Sequence, residues 1–187
     1  MSGRLDQYVA RRDFDRTPEP KPGPRGSGRK GNPRFVVQEH DARRHHFDFR
    51  LEIGDVLASW VVPRGPASES GDRRLALRME DHPLEYVDFE GEIPEGEYGA
   101  GKVKTWDIGA FENITTAGNQ SVPATSALDE GYLVVRLKGK KLHGCYALQR
   151  TEVSDNEERW LLIRTRDEGD SKAIAARHAG GLREDAG

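Results

Sequence analysis

The segment at residues 46–53, HFDFRLEI, constrains the fold more than any other part of the sequence, because polar and apolar side chains alternate along it without exception. A period of two is the pattern of a β-strand with two different faces. We therefore predict a strand whose apolar face packs on a core. The polar face is not the usual Thr, Lys and Glu mixture of a solvated strand, which favours a functional surface. The apolar face carries Phe47, Phe49, Leu51 and Ile53, and the polar face carries His46, Asp48, Arg50 and Glu52.

Further short runs of β-type residues are separated by turn residues, among which we count Gly109. Many short strands with frequent turns indicate an antiparallel barrel or sandwich. We predict a mainly β fold, a small antiparallel β-barrel of about eight strands with short flanking helices. The predicted strands are residues 34–38, 46–53, 56–62, 74–79, 102–106, 131–137, 142–149 and 159–164, and the predicted helices are residues 4–12 and, as the only later one, 171–177.

Composition excludes two classes of protein. In the 187 residues no apolar run exceeds four, whereas a membrane-spanning helix needs about 20 apolar residues. The single cysteine, Cys145, excludes an internal disulfide framework. We therefore expect a cytoplasmic protein that does not associate with a membrane.

Residues 20–34 hold five basic residues, four prolines, four glycines and no acidic residue. We interpret this stretch as a mobile cationic arm, with a plain solvated linker as the alternative. The predicted organisation is an N-terminal helix and basic arm at residues 1–33, a β-barrel domain at residues 34–178 and a disordered tail at residues 179–187. The net charge of −3 argues against a uniformly basic coat for nucleic acid but leaves a local one possible.

Two histidines and an aspartate suggest a metal site on the alternating strand. His46 and Asp48 would lie about 6.6 Å apart on one face, close enough to share an ion. A turn after His40 would fold its imidazole back beside them. Two imidazoles and one carboxylate suit Mn, Fe, Co or Zn and leave positions open for water or substrate.

Three other side chains could bind an oxyanion next to that ion. Arg50 is on the same face, and His82 and Tyr86 lie in the segment EDHPLEY at residues 80–86. A metal with a guanidinium and an imidazole forms a sensible set for phosphoryl transfer, in which Arg50 neutralises phosphate oxygens. A structural role for His82 is the simpler alternative.

Five motifs, in order, resemble the 3′-phosphoesterase domain of bacterial DNA ligase D. The resemblance covers about residues 12–164, nearly the whole chain. The motifs are FVVQEHDAR (35–43), HFDFRLE (46–52), SWVVPRGP (59–66), EDHPLEY (80–86) and GEIPEGEYGAG (91–101), preceded by RDF (12–14) and TPEP (17–20).

The resemblance implies a hydrolase that heals 3′ ends in double-strand-break repair by non-homologous end joining. Such an enzyme removes a 3′-terminal ribonucleoside and then the remaining 3′-phosphate, prefers Mn over Co, Zn or another divalent cation, and acts on a primer–template. An end-joining ligase and polymerase would be its partners, and the nucleoid its place of action. The implied metal ligands are His40, His46 and Asp48, the implied catalytic residues are Arg50, His82 and Tyr86, and the implied substrate-binding residues are Arg12, Asp13, Glu19, Arg64 and Arg74.

Two alternatives come from other functional classes. Two histidines and a carboxylate on a β-barrel also fit a non-haem Fe(II) oxygenase, although such an enzyme has no need for Arg50, Arg74 and His82 together. A non-catalytic nucleic-acid-binding barrel would bind through the basic arm, with affinity that falls with salt and does not depend on metal.

Overall fold

The computed structural model describes residues 3–24, 31–166 and 169. The predicted helix at 171–177, the tail at 179–187 and part of the basic arm lie outside the described residues, and the predicted domain boundaries stay predictions. The elements, in chain order, are α1 (Asp6–Ala10), β1 (Arg34–Ala42), β2 (His46–Ile53), β3 (Val56–Val62), β4 (Arg73–Arg78), a 3₁₀ helix (Leu84–Asp88), β5 (Gly91–Ile93), β6 (Gly101–Asn113), β7 (Thr116–Ala117), β8 (Gln120–Ser121), α2 (Ala124–Glu130), β9 (Tyr132–Lys138), β10 (His143–Val153) and β11 (Glu158–Arg164).

Within these residues, eight antiparallel strands close into a barrel in the order β1, β2, β3, β4, β11, β10, β9 and β6, and β6 returns to pair with β1. The predicted fold class is confirmed. Every barrel strand contributes buried side chains to one interior core, and α2 adds Ala127 and Leu128 to it. Trp60 is fully buried in it, with its ring 6.2 Å from Phe49 and 5.6 Å from Trp160, centroid to centroid.

Two local predictions are wrong. The sequence patterns do not predict helix α2, although Pro123 precedes it and Gly131 ends it with a left-handed φ of 84°. Gly109 does not end a strand but lies inside the 13-residue β6. A Cβ there would lie 2.3 Å from the backbone oxygen of Lys138, so this glycine permits the close approach of a neighbouring chain segment.

The polar face of β2 lies on the outside of the barrel, since its apolar face fills the interior. This outer surface is covered by residues 4–20, here called the N-terminal strap, and by the 3₁₀ helix. The strap packs Tyr8 against Tyr86, Val87, Val36 and Leu57 in a second apolar cluster. Ion pairs from Arg4 to Asp81, Arg11 to Glu80 and Arg16 to Glu97 hold its edges.

No helix in the described part of the chain is long and apolar enough to cross a membrane.

Candidate active site

The hairpin of β1 and β2 brings the three proposed metal ligands together. Its register places His40 directly opposite His46, with ring centroids 4.7 Å apart, and Asp48 follows on the same face. One donor atom from each of the three residues lies within 4.8 Å of the other two. The turn expected after His40 is therefore present, and this group could hold a metal ion.

The two imidazoles are oriented by backbone carbonyls. Nε2 of His40 lies 2.9 Å from the oxygen of Gly99, and Nδ1 of His46 lies 2.8 Å from the oxygen of Arg44. A carbonyl can only accept, so these nitrogens carry the proton in the neutral rings. The unprotonated nitrogens, Nδ1 of His40 and Nε2 of His46, then lie 3.4 Å and 3.6 Å from the two oxygens of Asp48.

These donor atoms fit a divalent transition metal. Two ligand atoms that are each about 2.1 Å from one ion lie roughly 3 to 4.2 Å apart. The separations of the two imidazoles from Asp48 lie in this range, and the three donor atoms lie within 4.8 Å of one another. The backbone acceptors behind the histidines are the kind of support that metal-ligating imidazoles have in proteins. Burial opposes ionisation of Asp48, but the neighbouring Arg50 cation favours the charged form, and the pKa of Asp48 lies well below its usual range. The carboxylate is thus available as an anionic ligand.

The charged groups around the centre balance one another. The buried guanidinium groups of Arg12 and Arg50 face the buried carboxylates of Asp48, Glu19 and Glu80. Arg11 also pairs with Glu80 at 2.8 Å, so three cations offset three carboxylates. A divalent ion would give the site a net positive charge and make it attractive to a phosphate.

Arg50 is held rigidly beside the metal ligands. Its Nε donates to Gln38 Oε1 and its Nη1 to Ser59 Oγ, both at 2.8 Å, and Nη2 lies 3.2 Å from Asp48. The guanidinium also stacks 4.7 Å from the centroid of the Tyr86 ring. Among the described residues these contacts occupy three of its five N–H groups, so two can bind an oxyanion.

His82 is buried and uncharged. Burial, followed by the charges of Arg50 and Arg12, lowers the pKa of His82 well below its ordinary value. Nδ1 donates to the backbone oxygen of Glu80 at 2.9 Å, and Arg12 Nη2 lies 3.4 Å from Nε2. Because an arginine can only donate, Nε2 is the unprotonated nitrogen and the atom able to accept a proton.

The strap delivers two of the predicted substrate-binding residues into the site. Arg12 Nε donates to Glu19 Oε1 at 2.9 Å, and Arg12 Nη1 lies 3.3 Å from Glu80 Oε1. The Tyr86 hydroxyl donates to the same Glu19 oxygen at 2.9 Å. Burial raises the pKa of Tyr86 well above its ordinary value, so the hydroxyl keeps its proton. The strap and the barrel thus share one buried network.

These groups line one cavity of about 260 Å³. Of the predicted site residues, the cavity lining includes Arg12, Glu19, His40, His46, Asp48, Arg50, His82 and Tyr86.

Three predicted substrate-binding residues are not part of the cavity lining. Arg64 is exposed in the loop after β3, and Arg74 on β4 pairs with Asp72 at 3.1 Å. Asp13 is exposed, and its backbone oxygen accepts from the amides of the strap turn. Their assignment to the substrate stays a prediction.

Several residues that build the site were not assigned a role from the sequence. Gln38 and Ser59 orient Arg50, Glu80 binds Arg12, and Gly99 orients His40. The sequence does point to Gln38, because it lies two residues before His40 on the same strand face. It also points to Ser59, which is a lone polar residue within the apolar run of β3.

Residues 38–150 match the family described as the DNA Ligase D 3′-phosphoesterase domain. The chain is 42% identical over 176 residues to the Multifunctional non-homologous end joining protein LigD of Pseudomonas aeruginosa, which covers 91% of this chain and 19% of that protein. It is 45% identical over 174 residues to the corresponding DNA repair protein of Mycobacterium tuberculosis, covering 93% and 21%. With LigD of Mycolicibacterium smegmatis the identity is 38% over 178 residues, covering 92% and 22%.

The chain thus spans about a fifth of the length of these curated relatives. The family match covers more than half of the chain and includes most of the β1–β2 hairpin, the 3₁₀ helix and the glycine turn, which contribute most of the cavity lining. The chain therefore belongs to the family of DNA ligase D 3′-phosphoesterase domains.

Proposed function

We propose that this chain is a metal-dependent phosphoesterase that heals 3′ ends of nucleic acid in double-strand-break repair. The observation that carries the proposal is the convergence of three metal-ligand donors and the Arg50 guanidinium in one cavity. The oxygenase and the non-catalytic barrel are not retained, because the chain belongs to a phosphoesterase family and Arg50 and His82 join the metal donors in the cavity.

The proposed reaction has two hydrolytic steps. In the first, water attacks the last phosphodiester of the primer strand, the P–O5′ bond breaks, and the terminal ribonucleoside leaves with a 5′-hydroxyl. In the second, water attacks the remaining 3′-phosphate, the P–O3′ bond breaks, and inorganic phosphate leaves. The primer strand then ends in the 3′-hydroxyl that ligation or synthesis requires.

We propose Mn as the ion held by His40, His46 and Asp48. When bound, it would supply Lewis-acid stabilisation of the negative charge on the phosphate. The two N–H groups that Arg50 has left would bind non-bridging oxygens, and its fixed position avoids a cost of reorganisation. Asp48, as the common partner of both histidines and Arg50, sets the distance between the metal and the guanidinium.

Proton transfer falls to His82 in this proposal. Its unprotonated Nε2 can accept a proton from the attacking water, while its Nδ1 stays bonded to the Glu80 carbonyl. The Tyr86 hydroxyl remains protonated and can donate to a phosphate oxygen once it leaves Glu19. Arg12 and Glu19, which the strap brings into the cavity, would serve mainly the diester step, as the family resemblance implies.

The relatives are named for non-homologous end joining, so we propose that the substrates are primer–template ends with a 3′-ribonucleotide or 3′-phosphate. An end-joining ligase and polymerase would use the product. The predicted cytoplasmic, nucleoid-associated location remains part of the proposal.

The test is a labelled primer–template with one 3′-terminal ribonucleotide, incubated with Mn in the absence of oxygen. We expect a 3′-phosphate product and then a 3′-hydroxyl product, both abolished by a chelator. His46→Ala and Asp48→Ala should abolish both steps, whereas Arg159→Ala, which changes an exposed arginine on β11, should leave them intact. An intact strand with Mn, or equal cleavage with the chelator, would refute the proposal.

A further inference from the structure

Part of the catalytic cavity is apolar and has no role in phosphate chemistry. Beside the charged groups described above, its lining includes the side chains of Ala42, Val61, Met79, Ile93 and Tyr98. A phosphate needs only the polar groups, which are Arg50, His82 and the metal donors. The apolar side chains of the lining, here called the apolar wall, can contact a second, less polar part of the substrate.

Tyr98 is the notable member of this wall. Among the described residues, four large apolar side chains are exposed, and Tyr98 is the aromatic one, at 40% exposure. It is carried by a tight turn in which Gly96 and Gly99 have φ values of 88° and 77°. The same turn directs the carbonyl of Gly99 at His40. The position of the ring is thus tied to that of a proposed metal ligand.

A second contact holds the ring over the cavity from the other side. Arg11 Nη1 donates to the Tyr98 hydroxyl at 2.9 Å and to Glu80 Oε2 at 2.8 Å. The guanidinium groups of Arg11 and Arg12 also lie 4.9 Å and 5.6 Å from the ring centroid. Glu80 in turn accepts from His82 through its backbone oxygen. Tyr98 therefore reaches from the metal-ligand side of the cavity to the His82 side and is fixed at both ends.

We infer that the exposed part of the Tyr98 ring is the platform on which the base of the 3′-terminal nucleoside stacks, so that the apolar wall is the subsite of the leaving nucleoside. The inference rests on the proposed function, in which this nucleoside departs from the phosphate bound at Arg50. An aromatic ring that is fixed before binding offers a base contact area at little entropic cost. Stacking uses the π-face that every base has, so the subsite accepts all four bases.

The inference makes the two steps respond differently to the loss of the ring. Only the diester substrate carries a terminal nucleoside, so Tyr98 contributes to that step and not to phosphate release. Base–aromatic stacking predicts a loss of about ten- to hundred-fold in diesterase kcat/KM for Tyr98→Ala, mainly through KM. Tyr98→Phe keeps the ring, so its diesterase kcat/KM should stay close to that of the unchanged protein. Tyr98→Leu keeps the bulk without a π-face, so its diesterase kcat/KM should fall as far as that of Tyr98→Ala.

The experiment compares the unchanged protein and these variants on three primers. One ends in a normal ribonucleotide, one in an abasic ribose and one in a 3′-phosphate. The diesterase kcat/KM of the unchanged protein should be lower on the abasic primer than on the normal primer, by the same factor that Tyr98→Ala loses on the normal primer. For Tyr98→Ala, the abasic primer should cause no further loss of kcat/KM. On the 3′-phosphate primer, the rates of the unchanged protein and of all variants should agree within about twofold. Leu75→Ala, an exposed apolar change on β4 outside the cavity lining, serves as the control.

A binding measurement without catalysis completes the test. A primer with 2-aminopurine at its 3′-terminal nucleoside should lose fluorescence on the metal-free unchanged protein and on Tyr98→Phe, but not on Tyr98→Ala or Tyr98→Leu. Equal losses in both steps for Tyr98→Ala, or equal quenching by all variants, would overturn the inference while the proposed function stands. If the unchanged protein does not cleave the primer but the quenching depends on Tyr98, the proposed function is refuted and the proposed stacking site stands.

Discussion

Replacement of Arg12 by alanine should loosen the N-terminal strap without loosening the barrel. The Arg12 side chain is 4% exposed, and those of its partners Glu19 and Glu80 are each 1% exposed. The substitution leaves both carboxylates buried without this cation. It also removes the guanidinium that stacks 3.8 Å from the centroid of the Tyr8 ring.

The free-energy cost of Arg12→Ala depends on the partners that Glu19 and Glu80 keep. Removal of one partner of a buried ion pair costs about 3–5 kcal/mol. Glu19 keeps hydrogen bonds from Thr17 and Tyr86, and Glu80 keeps Arg11, so the low end applies. A cost of about 3 kcal/mol raises the equilibrium constant for opening of the strap about a hundredfold.

Hydrogen exchange of individual amides measures this opening. The amides of Val9 and Thr17 are bonded within the strap, to Leu5 and Asp13, and should exchange about a hundredfold faster. Amides of β2, such as that of Phe49, should keep their rates. Arg16→Ala is the matched control from the same strap, because Arg16 is 63% exposed and an exposed pair contributes about 0–1 kcal/mol.

The same variant tests the division of labour between the two steps. Arg12→Ala and Glu19→Ala should reduce diester cleavage more than phosphate release. Unchanged exchange in the strap, or an equal acceleration in the strap and β2, would refute the structural reasoning. Equal losses in both steps would refute the functional part.

Three further predictions concern stability. The depressed pKa of His82 means that folding favours the neutral ring, so this contribution is present above about pH 6.5 and is lost as pH falls below it. As pH falls from 7.5 to 5.5 in the presence of a chelator, the urea midpoint of the unchanged protein should therefore fall more than that of His82→Gln. Parallel pH profiles of the two midpoints would contradict this. The Asp107 carboxylate accepts hydrogen bonds from the amides of Lys140, Lys141 and Leu142. Asp107→Ala should therefore lower the free energy of unfolding in urea by about 3 kcal/mol, and Asp107→Asn should lower it less. Equal losses for the two variants would show that the charge and the second acceptor oxygen of Asp107 do not matter. Gly109→Ala should cost about 2 kcal/mol or more because its Cβ meets the Lys138 oxygen, and an unchanged midpoint would mean that β9 yields without cost.

Periodicity predicted the parts of the fold that repeat a simple pattern. Strands β2 and β3 have the predicted bounds, because one alternates strictly and the other is a continuous apolar run ended by Pro63. β6 runs far beyond its predicted end at residue 106, because Gly109 serves a close approach and not a turn. Such an approach depends on β9, which lies far away in the chain, so local pattern cannot reveal it.

The metal-binding group followed from the alternating strand and one turn, since His40, His46 and Asp48 lie within nine residues of each other. The remainder of the cavity is assembled from distant segments. The strap bonds to Glu80 and Tyr86 across more than sixty positions, and Tyr98 meets Arg11 across 87. Side-chain contacts at such separations are set by the closed barrel, so single-sequence reasoning could name Arg12 and Glu19 only through the family resemblance.

The most direct test of the metal centre is a crystal structure of the protein grown with Mn and inorganic phosphate, with anomalous data collected at the Mn absorption edge. We expect one anomalous peak bonded to His40 Nδ1, His46 Nε2 and an oxygen of Asp48, with a phosphate oxygen bound by the Arg50 guanidinium. A peak at other residues, bonds to the opposite imidazole nitrogens, or a phosphate that does not contact Arg50 would contradict the proposed site.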